Sequence, residues 1–115
     1  AQNTRQALEI ANGFIQSQGG TDIRVLAEVY PYSLYDIAYK ILGGSRYLLV
    51  KHTATRSKYL SLPLKKVRFL NDFSDGAALL LVTDINGEPK LHIYTIADLN
   101  RMDKTINSIT YKDRD

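Results

Sequence analysis

Two residues carry the chemistry this chain offers. Asp36 stands in the apolar, strand-prone setting Leu34-Tyr35-Asp36-Ile37, where a carboxylate is unfavourable unless something compensates it. Fifteen residues later Lys51 stands in Leu48-Leu49-Val50-Lys51-His52, and a hairpin through Gly43-Gly44 would bring the two within a few residues of register. Two readings follow. One is a buried Asp–Lys pair, of little net worth to stability because desolvation nearly cancels the attraction. The other is a carboxylate that holds Mg²⁺ beside a lysine that orients water at a scissile phosphate.

The bases are unevenly spread. Between Asp36 and Asp72 lie 35 residues without an acid, carrying Lys40, Arg46, Lys51, Arg56, Lys58, Lys65, Lys66 and Arg68. The segment is therefore +8, in a chain whose formal net charge is +3. A stripe of that sign concentrates polyanions, and phosphate backbones are the commonest of these. Arg56, Lys58, Lys65, Lys66 and Arg68, which follow the Lys51 strand, are the candidate nucleic-acid-binding residues. Thr53, Thr55, Ser57 and Ser61 could donate to phosphates, and Tyr30, Tyr32, Tyr35 and Tyr39 could stack on bases.

The elements that must position these residues read as α-β-β-β-α-β-β. Ala7, Leu8, Ala11, Phe14 and Ile15 repeat at three and four, so a helix is expected over 4–18, capped by Asn3 or Thr4 and stopped at Gly19-Gly20. Alternation predicts a first strand over 23–30 and a second over 34–42, ending at Gly43-Gly44-Ser45. The third, 46–53, is apolar at its centre and should be covered on both faces. Ser61-Leu62-Pro63 opens a second helix with Leu64, Val67, Leu70 and Phe73 inward. Strands follow at 77–85 and 90–95 around Asn86-Gly87, then a short helix at 98–102. The expected class is α/β or α+β, with a mixed sheet of about five strands flanked by helices. Residues 1–102 form one domain in this reading, and 103–115 a polar tail.

Composition narrows the functions. With 44% apolar and 23% charged residues, a packed core is expected. Cysteine is absent, which excludes disulfides, thiolate metal sites and cysteine nucleophiles. His52 and His92 are forty residues apart, too few and too separated for a histidine metal cluster, and both are expected to be structural. No apolar run reaches the roughly 18–20 residues of a membrane span, and no leader pattern is visible, so a cytoplasmic location is the default expectation.

In order and spacing, these stretches resemble the restriction-endonuclease-like PD-(D/E)xK nuclease superfamily over about residues 4–99. The matching pieces are Tyr35-Asp36-Ile37, the strand ending in Lys51, Tyr59-Leu60-Ser61-Leu62-Pro63, Val67-Arg68-Phe69-Leu70 and Pro89-Lys90-Leu91-His92-Ile93-Tyr94. The resemblance implies that Asp36 is the metal-binding aspartate, Lys51 the catalytic lysine, and Glu9 an additional acid near the metal. It also implies DNA as substrate and Mg²⁺ as cofactor; a nuclease of only 115 residues covers little duplex, so from its size work as a homodimer or with a partner subunit is expected. The second acid of the motif belongs two residues before the lysine, where this chain has Leu49. Either Glu9 or Glu28 supplies the missing oxygen and DNA is hydrolysed, or the chain is a degenerate copy that binds nucleic acid without cutting. The competing class is a non-catalytic protein-interaction module of a defence or mobile-element system.

Overall fold

A computed structural model describes residues 2–26, 33–54, 59–104 and 110–112. The first element, α1 (Gln2–Ser17), lays Ala7, Leu8, Ala11 and Ile15 on one buried stripe. It stops where Gly19 takes φ +88° and the Gly20 N–H bonds back to the Ile15 carbonyl at 2.9 Å. Gly20 is required there: a Cβ would come within 2.3 Å of the Ile15 methyl carbon. The helix begins before the expected cap, so Thr4 lies inside it and its hydroxyl meets His52 Nε2 at 3.3 Å instead.

The strands β1 (Thr21–Val25), β2 (Ile37–Ile41), β3 (Gly44–His52), β5 (Ala77–Thr83) and β6 (Lys90–Tyr94) form one sheet in that spatial order. Only β3 and β5 are parallel, with Leu49 opposite Leu79 and Lys51 opposite Leu81; every other neighbour is antiparallel. The central place expected for the third strand is the one observed. The β2–β3 hairpin turns on Leu42-Gly43, one residue earlier than the glycine pair suggested, with φ +52° and +78°. A two-residue turn of this hand needs both residues in the left-handed region, which Gly43 adopts freely and Leu42 only under strain.

Each face of the sheet has its own core. On one, α1 covers Ile37, Leu48, Leu80 and Val82. On the other, Leu49, Leu79 and Leu81 pack against Phe69 and Leu70 of α2 (Leu64–Asp72) and Leu99 of α3 (Ile96–Asn100). The inner stripe of α2 is turned from the expected one. Phe69 and Leu70 are buried while Leu64 and Phe73 are about half exposed, because Phe69 is drawn against the rings of Tyr35 and Tyr47. Helix α3 starts two residues before the expected 98, its box closed by Thr95 and Asp98.

The polar tail expected from residue 103 is corrected. β7 (Asp103–Lys104) and β8 (Thr110–Lys112) join β4 (Tyr59–Ser61) in a second sheet of order β4-β8-β7. Tyr111 is fully buried beside Leu60, Leu62 and Leu99, so this piece seals the α2 side of the molecule. Among the described residues, no helix is long and apolar enough to cross a membrane.

Candidate nucleic-acid interface

Alternation along β3 separates its side chains into two sets. Leu48 and Val50 enter the α1 core, while Tyr47 and Leu49 enter the α2 core. Lys51 follows on the α2 side, two residues beyond Leu49. Its Nζ donates to the Ser61 carbonyl at 2.7 Å, where β4 ends and the chain turns into α2. Pro63 caps that helix without a side-chain hydrogen bond, and Lys66 lies in its first turn. Partial burial, and then the positive charge of Lys66, hold the Lys51 ammonium below its ordinary pKa. Two cations are therefore gathered at one end of β3.

Asp36 lies in the bend one residue before β2, not within the strand. Its N–H donates to the Leu48 carbonyl at 2.9 Å, and its carbonyl accepts from the Leu26 N–H at 2.7 Å. The carboxylate Oδ2 accepts the Val50 N–H at 2.7 Å. The reason is geometric. Ladder pairing of β2 ends at Ile37 opposite Leu48, whereas β3 continues to His52, so the Val50 N–H faces a missing strand. The carboxylate stands in for the absent backbone acceptor. The expected Asp36–Lys51 pair is therefore corrected: no ion pair joins them, because a backbone N–H compensates the acid and a carbonyl satisfies the lysine.

The other expected residues fall as follows. Leu49, only 1% exposed, packs with Leu79, Phe69 and Leu70, so the place of the second acid is dry core. Glu9 is exposed on α1, the helix that covers the opposite sheet face. Lys65 and Arg68 are exposed on α2, and Lys66 is half-buried. Glu28, Arg56, Lys58, Tyr30 and Tyr32 lie outside the described residues. His52 and His92 pair with Thr4 and with Thr83 Oγ1, the latter at 3.2 Å, as structural histidines do.

A Mg²⁺ ion prefers several oxygens in octahedral array. Among the described residues no three of His, Asp or Glu gather to hold a metal. Asp36 brings one carboxylate with one oxygen already engaged, and Leu49 brings none. These residues do not fit the ion.

Sequence reasoning did not foresee what lies at the other end of β3. Tyr35, Tyr47, Phe69 and Phe73 form a chain of rings, with centroids 4.9 Å apart for Tyr35–Tyr47 and for Phe69–Phe73, and 6.1 Å for Tyr47–Phe73. Beside it is a hollow of about 420 Å³ whose walls include Arg24, Lys40, Arg46 and Tyr47. The only hint in the sequence was the hairpin that sets Lys40 opposite Ser45 and Ala38 opposite Tyr47.

One solved structure described as Archaeoglobus fulgidus Hjc, a Holliday junction resolvase from an archaeal hyperthermophile, superimposes with a TM-score of 0.69. The match covers 98% of this chain and 85% of that one, at 14% sequence identity. The chain has the restriction-endonuclease-like fold. No family model and no curated protein matches the sequence, so at this identity the likeness speaks for architecture alone. Within the restriction-endonuclease-like fold, the five-stranded mixed sheet and its flanking helices are as the resemblance implied.

Proposed function

We propose that this domain binds nucleic acid by its phosphate backbone at the Lys51 end of β3 and does not cleave it. The observation that carries the reading is that Lys51, bonded to the Ser61 carbonyl just before α2, and Lys66, in the first turn of that helix, stand at the same end of β3, with no carboxylate among the described residues paired to either. Uncompensated like charges are relieved by an anion, and the exposed Lys65 and Arg68 extend the same basic surface along α2. The description of the solved neighbour as a Holliday junction resolvase supports DNA as the polyanion. Asp36 serves the sheet by holding the Val50 N–H, and Leu49 serves the core.

One observation favours hydrolysis as a second reading. The Leu26 N–H is bonded to the Asp36 carbonyl, and Glu28 follows Leu26 by two residues. Under that reading Asp36 together with Glu28 would hold the metal ion, whose chemistry would be charge stabilisation at a phosphate, and Lys51 would orient water.

Salt-titrated binding of duplex and branched DNA, run beside a Mg²⁺-dependent cleavage assay of wild type, Asp36→Ala, Lys51→Ala and Glu28→Gln, separates the two. Salt-sensitive binding without product is the expected result. Cleavage lost in all three variants would establish the nuclease, and absence of both binding and cleavage would leave the interaction module.

A further inference from the structure

Next to the hollow beside the ring cluster lies a second one. Ser45, Arg46 and Tyr47 line both, the first of about 420 Å³ and the second of about 300 Å³. The two are opposite in character. Arg24, Lys40 and Arg46 make the first cationic against Asp22 alone. In the second, Phe73 and Tyr47 supply aromatic wall, and Asp72 and Asp75 supply acceptors against Arg46. Phe73 is 50% exposed, although its ring lies against Tyr47 and Phe69, so its outer face is open to a further ring.

A cationic compartment neighbouring an aromatic, acid-rimmed one matches one ligand class: an anionic group linked to a flat heterocycle bearing hydrogen-bond donors. From these two hollows we infer a subsite for one unpaired nucleotide of a single strand, its phosphate among Arg24, Lys40 and Arg46 and its base against Phe73. The carboxylates of Asp72 and Asp75 fix the direction of entry. They repel a phosphate and accept from exocyclic amino groups, so cytosine is favoured over thymine. A paired base cannot enter, because its faces are stacked and its edge is engaged. The first hollow also falls within the usual range of about 300–1,000 Å³ for small-ligand pockets.

This subsite lies at the C-terminal end of α2, whereas Lys51 and Lys66 lie at its N-terminal end. It rests on the nucleic-acid reading above and deepens it, by assigning duplex backbone to the lysine end and an unpaired base to the ring end.

The test is fluorescence anisotropy of labelled ten-nucleotide oligo(dC), oligo(dT) and a duplex of equal length, with wild type, Phe73→Ala, Lys40→Glu, Asp72→Asn/Asp75→Asn and Lys66→Ala. Phe73→Ala and Lys40→Glu are expected to weaken oligo(dC) binding about tenfold. Duplex binding stays unchanged in Phe73→Ala and falls in Lys66→Ala. The double Asp→Asn variant levels cytosine with thymine. Lys40 is exposed, so Lys40→Glu keeps the test valid should Phe73→Ala unfold. If oligo(dC) binding stays within about twofold of wild type in both Phe73→Ala and Lys40→Glu while duplex binding still depends on Lys66, the subsite is wrong and the backbone reading stands. If neither single strand nor duplex binds, both fall.

Discussion

The two faces of β3 are built for different ends. The face toward α1 carries Leu48 and Val50 beneath a helix whose inward stripe is Ala7, Leu8, Ala11 and Ile15. The face toward α2 has dry core only at its middle, Leu49, and ends in Tyr47 on one side and Lys51 on the other. One face is a scaffold. The other uses the same backbone to present a ring and a cation on either side of a packed centre. On the proposed reading, binding does not depend on the hydrophobic middle position, because the groups assigned to a ligand stand at the ends.

Removing a scaffold side chain should break that contrast from the α1 side. Leu80→Ala, at a fully buried position, is expected to lower stability by about 2–5 kcal/mol in chemical denaturation. DNA affinity of the protein that remains folded should be unchanged.

Asp36 tests whether an acid beside β3 belongs to the frame. Asp36→Ala leaves the Val50 N–H without its acceptor and is expected to lower stability by about 1–3 kcal/mol. Asp36→Asn retains an acceptor and should recover most of that loss. Equal losses in the two variants would show that charge, not the hydrogen bond, holds Asp36 in place.

The lysine end is expected to show itself through pH. Because the folded-state pKa of Lys51 lies below 10.5, the unfolded chain binds more protons between the two values, so this group makes stability rise with pH across that window. Burial raises Tyr39 and Tyr111 above 10.0, which has the opposite sign and removes stability as pH climbs beyond the unfolded tyrosine value. Melting temperature should therefore rise toward about pH 10 and then fall. In Lys66→Ala the rising limb should move toward higher pH, since one of the two causes of the Lys51 shift is gone. The smallest effect is expected at the hairpin. Leu42 is 98% exposed at φ +52°, and Leu42→Gly should add about 1 kcal/mol of stability by relieving the left-handed backbone without touching either core.

Much of this arrangement was legible before any coordinates. The continuous apolar centre Leu48-Leu49-Val50 placed β3 at the centre of the sheet, and the 3–4 spacing in α1 foretold its buried stripe. That Leu49 brings no acid two residues before Lys51 was equally plain. What escaped depends on backbone groups or on contacts remote in sequence. The partner of Asp36 is a peptide N–H, exposed to it only because β2 stops two residues before its ladder would have reached Val50. The strand around Tyr111 is three residues long, too short for alternation to register. The ring cluster joins positions 35, 47, 69 and 73, which no local pattern links.

The central claim is that Lys51 and Lys66 neutralise phosphates of bound nucleic acid. It is tested most directly by the slope of log K against log salt for a DNA duplex, compared between wild type and Lys51→Ala/Lys66→Ala. Loss of two phosphate contacts should flatten the slope by about 1.8. An unchanged slope with unchanged affinity would contradict the claim.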